Sequence, residues 1–370
     1  MLAYFLYCYS YISLNLFNYS IFIMTPLVID GNYGEGGGSI VRLATAFSVL
    51  KNQSVEIKNI RYNRPKPGLK HQHVIGLELL KEISNAKTSD LKEGAMELSF
   101  SPEKIHSGVY HKKIHTAGSI GLIIQILQIA LARSVEKIVL NIDGGATFGK
   151  WAPSLPYLEQ VTFSNLKKMG IDIKVNVIKH GFYPKGGAKV NIEIQNKGII
   201  QGLKLDDFGE INKIYCISIA SNVLKKANVA DRQFSSLKKV IKDKLNLEVH
   251  RDIRYVDTLN PGSGICAWAV TDSGIVLGFD YVGEKKLKSE IIGENCAVKL
   301  IDMIKSRATV DYFQADQLIP FLYLSESPFS FITNHLSNHT KTNIWLGKQF
   351  FKRDIEVKKQ NGNYRIGFNG

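Results

Sequence analysis

The chain has 370 residues, 45% of them hydrophobic and 22% charged, enough for more than one core and unlike a disordered or fibrous chain. Its net charge of +14 favours a polyanionic partner, nucleic acid first, although excess lysine is also a habit of whole proteomes. The four cysteines (Cys8, Cys216, Cys266, Cys296) lie far apart and form no CxxC pair, which argues against a disulfide framework or a cysteine zinc site and fits a reducing, cytoplasmic compartment.

Residues 1–23 carry no charged side chain and are crowded with Tyr, Phe, Leu and Ile. The segment is long enough to span a bilayer but lacks the basic flank of a signal peptide or an oriented anchor. It is read as a leader that is disordered or lies upstream of the true start at Met24, with a membrane anchor as the alternative; no stable membrane partner is expected. Pro26-Leu27-Val28-Ile29 then reads as a short strand. It runs into the turn Asp30-Gly31-Asn32-Tyr33-Gly34-Glu35-Gly36-Gly37-Gly38, after which Ile40, Leu43, Ala44, Ala46, Phe47 and Leu50 recur at helical spacing. A glycine-rich turn between strand and helix lets backbone N–H groups reach a phosphate. Glu35 inside it could hold a divalent cation against that phosphate. The spacing is neither the Walker pattern nor GxGxxG, and a tight turn with solvated charges is the plain alternative.

Residues 54–61 alternate as a half-buried strand. The extended loop that follows places Arg61, Arg64, Lys66 and Lys70 within ten residues, before a helix over 74–83. Cations on a loop entering a helix suit anion capture, the alternative being a solvated basic loop. Residues 95–101 read as a strand. Residues 120–132 are apolar on nearly every side except for Gln125 and Gln128, which predicts a buried helix whose glutamines need partners, from the protein or a ligand. Further on come strands over 137–142, 171–177 and 189–194, with a helix to about 168. Residues 205–306 read as an inserted smaller domain, bounded by large-domain segments 24–204 and 307–370, with a helix over 231–245, strands near 247–256, 265–271 and 275–282, and a helix over 288–306. Residues 330–333 read as a strand. His335 and His339 then stand four apart among Asn and Ser, a spacing that suggests a metal pair on paper but in a loop does not ensure a shared face.

Taken in series, several stretches resemble the RNA 3′-terminal phosphate cyclase family. They are Asp30-Gly31 with Gly34 to Gly38 and Arg42; Arg61 and Arg64 with Lys66-Pro67-Gly68-Leu69 and Gln72-His73; Ala117-Gly118-Ser119 with Gln125; and Asp143-Gly144-Gly145. They continue through His180-Gly181-Phe182-Tyr183-Pro184 with Gly186-Gly187, Val282-Gly283-Glu284-Lys285, Ala315-Asp316-Gln317-Leu318, and His339 with Thr342-Asn343. They fall in the family's order from Asp30 to about Asn343. After Gly145 the chain departs from the Thr-Asp of many members, so no catalytic residue is carried over to that loop.

The resemblance implies an α+β fold, a large domain of three repeated βαβαββ-like units with a smaller α/β domain inserted. It implies an ATP-dependent ligase that turns an RNA 3′-phosphate into a 2′,3′-cyclic phosphate through a histidyl-AMP intermediate and an RNA-3′-pp-5′-A intermediate. By motif position His339 is the nucleophile, with His335 as the fallback, and Glu35 is catalytic through bound Mg²⁺ or Mn²⁺. Arg42, Arg61, Arg64 and Gln72 would hold the RNA terminal phosphate. Gln125, Phe313, Gln314, Ala315, Asp316 and Gln317 would line the ATP pocket. The partner is RNA with a 3′-terminal phosphate, as monomer or homodimer. Two rivals are a non-catalytic relative acting in ribosome assembly, which would lack the histidine, and an enolpyruvyl transferase, which would need neither ATP nor an adenylylated histidine.

Overall fold

A computed structural model of the chain describes residues 25–149 and 152–368. The expectations for the leader at 1–23 and for a start at Met24 lie outside these residues. Among the described residues no helix is long and apolar enough to cross a membrane.

The first sheet forms from β1 (Leu27–Asp30), β2 (Val55–Lys58), β3 (Lys87–Thr88) and β4 (Leu98–Ser101), in the order β1-β2-β4-β3. β1 and β2 are parallel and the other pairs antiparallel. A parallel pair needs a crossover, and α1 (Gly38–Lys51) supplies it; α2 (His71–Ser84) follows β2. The predicted helical spacing after the glycine-rich turn is what α1 buries, with Ile40, Val41, Leu43, Ala44, Ala46 and Phe47 all in the core.

The second sheet joins β5 (Gly108–Ser119), β6 (Ile138–Ala146), β7 (Ile173–Lys179) and β8 (Lys189–Ile194) in the order β5-β6-β8-β7, with β5 and β6 parallel. Between β5 and β6 runs α3 (Ile120–Ala130), buried on nearly all sides as its composition predicts. It packs on α1 and α2. Between β6 and β7 lies a helix, α4, made of Leu155–Tyr157, a π-helical stretch Leu158–Thr162, and Phe163–Lys168.

The third sheet, in order β11-β10-β12-β13, comprises β10 (Ile211–Ser221), β11 (Val249–Val256), β12 (Ser263–Thr271) and β13 (Val276–Val282). Two helices, α5 (Val229–Leu245) and α6 (Ser289–Ser306), pack closely together and against it. The fourth sheet takes β9 (Lys204–Leu205) with β14 (Phe329–Thr333), β15 (Glu356–Gln360) and β16 (Asn363–Phe368), in the order β15-β16-β14-β9. β9 and β14 are parallel and the remaining pairs antiparallel. Two helices flank β14 in the chain, α7 (Tyr312–Leu324) and α8 (Asn338–Phe350).

Most core residues form one continuous cluster reaching from Ile29 to Ile366. A smaller cluster around Phe148, Tyr157, Phe182 and Ile219 packs where β12 and β13 meet α4. Among the described residues α5 and α6 form the most extensive helix–helix contact. A Cβ on Gly293 would stand 2.0 Å from the backbone oxygen of Gln233, so only a glycine lets the two backbones approach this far. Gly293→Ala should therefore push the helices apart and lower stability by about 1–3 kcal/mol, read as a lower midpoint of denaturant unfolding; an unchanged midpoint would contradict the packing.

Candidate active site

The glycine-rich turn and the start of α8 meet face to face. Gly34 and Gly36 both hold φ of +58°, a left-handed conformation that favours glycine, and a Cβ on Gly34 would come 2.6 Å from Thr342 Oγ1. This close approach sets the distance between turn and helix. Ser337 caps α8, its Oγ accepting the Thr340 N–H at 3.0 Å, and so puts His339 in the first turn. From there His339 Nδ1 lies 2.9 Å from Glu35 Oε2. The other Glu35 oxygen, Oε1, takes a 2.6 Å bond from Arg64 Nη2, which also donates to the Glu35 backbone oxygen at 2.9 Å. One carboxylate thus joins the glycine-rich turn, the basic loop and α8.

The charges follow from this geometry. The hydrogen bond from His339 holds the Glu35 carboxyl below its ordinary range, with help from Arg64 and against the cost of burial. The same bond raises the His339 imidazole, with burial opposing and the Asp316 charge assisting. The linkage signs are opposite. Stability from the raised His339 is fully present below its unfolded-state value and is lost as pH rises through its folded-state value. Stability from the lowered Glu35 is present above its unfolded-state value and is lost as pH falls through its folded-state value.

His339 stands at the wall of a cavity of about 540 Å³. α1 contributes Ser39, Arg42 and Leu43; α3 contributes Leu122, Gln125, Gln128 and Ile129; α7 contributes Phe313, Asp316, Gln317 and Pro320; α8 contributes Asn343 besides His339; and β13 contributes Phe279 to Val282. Burial lowers the Arg42 guanidinium to about 10, with Asp316 and Glu35 opposing, so it stays charged at neutral pH. Burial raises the Asp316 carboxyl to about 7, against the pull of His339 and Arg42. Asn343 Nδ2 donates to the Asp316 backbone oxygen at 2.9 Å and ties α8 to α7.

The residues singled out from the sequence separate into groups. Arg42, Gln125, Phe313, Asp316, Gln317 and His339 line the cavity, with Glu35 and Arg64 joined to His339. Gln314 and Ala315 do not line it. Gln314 bridges α7 and α4, donating to the Val161 oxygen at 3.0 Å and accepting from Asn165 Nδ2 at 3.1 Å, while Ala315 is in the core. Arg61 spends its Nη1 on the backbone oxygens of Lys66 and Gly68, at 2.9 and 3.0 Å, so it braces its own loop. Gln72 opens α2 beside Gly118 and is not part of the cavity wall. His335 precedes α8 and meets Tyr312 edge-on at 6.1 Å. The helix start separates the two histidines, and among the described residues no cluster of three or more His, Cys, Asp or Glu side chains fits a metal ion. Sequence reasoning missed Ser39, Phe279, Asp280 and Tyr281 as cavity residues. The pattern holds no signal for the last three, which reach the cavity only because the third sheet folds against it.

A histidine bonded to a carboxylate at the edge of a cavity, with guanidinium groups around it, sets a nucleophile or proton carrier beside donors suited to anions. A family model described as RNA 3′-terminal phosphate cyclase matches residues 33–357. The chain is 37% identical to the RNA 3′-terminal phosphate cyclase of Pyrococcus furiosus over 90% of its own length and 95% of the relative's. It is 38% identical to that of Methanosarcina barkeri over 92% and 99%, and 33% identical to that of Methanopyrus kandleri over 92% and 97%. The chain belongs to the RNA 3′-terminal phosphate cyclase family, a family of ATP-dependent enzymes.

In an NMR titration the His339 imidazole should change charge above the ordinary histidine value of about 6.5, and Glu35→Gln should bring that midpoint down. A midpoint unmoved by Glu35→Gln would contradict the pairing.

Proposed function

We propose that this chain uses ATP to close the 3′-phosphate of an RNA onto the neighbouring 2′-hydroxyl, forming a 2′,3′-cyclic phosphodiester, with His339 as the nucleophile. The observation that carries the reading is the His339–Glu35 bond at the cavity wall. With Nδ1–H given to the carboxylate, the lone pair of neutral His339 is on Nε2, the nitrogen free to attack. Nε2 attacks the α-phosphorus of ATP, an N–P bond forms, and the bond to diphosphate breaks. An oxygen of the RNA 3′-phosphate then displaces His339, giving an anhydride between RNA and AMP. The 2′-oxygen, losing its proton, attacks the 3′-phosphorus, and AMP leaves as the ring closes. Activation is required because a bare phosphate oxygen is a poor leaving group and AMP is a good one.

Arg42, charged and half-buried in the wall, would offset phosphate charge in the cavity, and Arg64 would offer its remaining donors to the RNA phosphate. Gln72 would assist from the start of α2. Arg61 would act mainly by shaping the loop that carries Arg64. The base and sugar of ATP would lie against Gln125, Phe313 and Gln317. Glu35 fits a Mg²⁺ or Mn²⁺ ion in part: its carboxylate is ionised, and each oxygen keeps a lone pair beyond the one bond it accepts. With only one carboxylate, the ion's other ligands would be phosphate oxygens and water. When bound, it would supply charge neutralisation on the triphosphate.

The fold reading goes with this function. The sheets β1-β2-β4-β3, β5-β6-β8-β7 and β9-β14-β16-β15 are three copies of one βαβαββ-like unit. Residues 205–306 form the smaller inserted domain, and segments 24–204 and 307–370 form the large one. The element order supports this, since strand, helix, strand, helix and two strands recur in each of the three, whereas residues 211–306 run strand, helix, three strands and helix. A non-catalytic role in ribosome assembly would leave the His339–Glu35 pair without a use. The site of action is the cytoplasm.

Incubation with α-labelled ATP and Mg²⁺ or Mn²⁺ should leave an acid-labile label on the protein. His339→Ala should take up none, and RNA with a 3′-phosphate, but not with a 3′-hydroxyl, should discharge it. The labelling rate should climb with pH until it passes the raised imidazole value, because only neutral His339 attacks. A wild type that binds RNA but takes no label would overturn the reading.

A further inference from the structure

Among the described residues, eight buried side-chain nitrogen or oxygen atoms have no hydrogen-bond partner, and four of them belong to residues lining the one cavity beside His339. They are Ser39 Oγ, Asn343 Oδ1 and both polar atoms of Gln128. Buried polar groups are seldom left unpaired, so a cluster of them on one wall marks where a ligand makes the missing bonds. Ser39 and Asn343 stand one turn from Arg42 and His339 on α1 and α8, at the phosphate-handling groups. Gln128 does not. It is on α3, fully buried, in a helix otherwise apolar except for Gln125 one turn earlier.

We propose that Gln128 reads the edge of the nucleotide's base, and that it selects adenine by its 6-amino group. The cavity walls near α3 and α7 are apolar (Leu43, Leu122, Ile129, Phe313, Pro320), which suits the faces of a flat ring but tells one base from another poorly. A primary amide adds what those walls lack, a donor and an acceptor side by side. Oε1 accepts from the 6-amino group while Nε2 donates to the adjacent ring nitrogen, the same pairing by which glutamine recognises adenine in nucleic acids. The glutamine also has a cost that needs an explanation: an apolar residue of its size would complete the helix with no orphaned groups. A base in the cavity removes that cost, and a nucleotide lacking the amino group leaves Oε1 unpaired and is rejected.

The inference rests on the cavity being the ATP site, and its test is separable from that of the cyclase chemistry because it measures binding alone, without RNA. Equilibrium affinities are taken for ATP and for purine riboside triphosphate, which lacks the 6-amino group, with wild type and Gln128→Met. Wild type should favour ATP by about tenfold or more, the worth of one or two buried hydrogen bonds. In Gln128→Met, a near-isosteric change, the preference should fall to about one. Equal binding of the two nucleotides by wild type would overturn the proposal, whatever the variant does. A preference retained by Gln128→Met would also overturn it, and would mean that another group reads the 6-amino group. A protein that shows the expected ratios yet takes up no label refutes the histidyl-AMP mechanism and leaves Gln128 its role.

Discussion

The site depends on one carboxylate. Glu35 takes His339 on one oxygen and Arg64 on the other, and through them connects the turn after β1, the loop after β2 and the first turn of α8. These segments are far apart in the chain, and the carboxylate joins them alongside the Tyr33–Trp345 stack and the Gly34–Thr342 approach between turn and helix. The bond also fixes the chemistry of the histidine. It orients the ring, directs the proton to Nδ1, and raises the imidazole against the opposing effect of burial. The proposed attack uses the neutral ring, in which Nδ1–H still donates to Glu35 and the lone pair is on Nε2. Glu35 and His339 are therefore coupled, so a change to either residue alters both.

The cavity wall is built in the same manner, from elements that the chain visits at long intervals. α3 is buried because almost every residue on it is apolar, and its burial between α1, α2 and α7 places Gln125 and Gln128 against the cavity. α7 starts at Asp311, whose carboxylate caps the helix by accepting the N–H groups of Phe313 and Gln314 at 3.1 and 2.9 Å and takes the Tyr157 hydroxyl at 2.7 Å. That one buried side chain sets the direction in which Phe313, Asp316 and Gln317 enter the wall. The third sheet closes the far side through β13, where Asp280 accepts the Ser154 N–H at 2.7 Å.

Much of this was legible in the sequence where local pattern and burial agree. The apolar run of α3, the alternation at 54–61 and the glycine-rich turn each predict their element, because the residues that form it also bury it. The beginning of α8 was not legible. Asn334 to Asn343 is rich in residues that favour turns, and it is helical from Asn338 because of partners elsewhere: Gly34 against Thr342, and Tyr33 stacked on Trp345 at 3.7 Å. β5 was missed because it is a sheet edge, with Val109, His111 and Lys113 exposed on one face and Lys112 bonded to Glu78 and Glu82 on α2. At the site itself, residue types were readable and pairings were not. Glu35 reads as a metal ligand from the turn alone, and nothing in the spacing announces that Arg64 and His339 share its two oxygens. Gln314 and Ala315 fall beside cavity residues in the chain but on the other side of α7, a helical alternation hidden while the segment was read only as a motif.

The most direct test of the account is to trap the adenylylated protein in the absence of RNA and locate the phosphorus by NMR with nitrogen-labelled histidine. The account predicts a single N–P bond at Nε2 of His339, with Nδ1 still protonated and directed at Glu35. A bond at Nδ1, or an adduct on His335 or any other residue, would contradict it, because the Glu35 contact could not then be what orients the nucleophile.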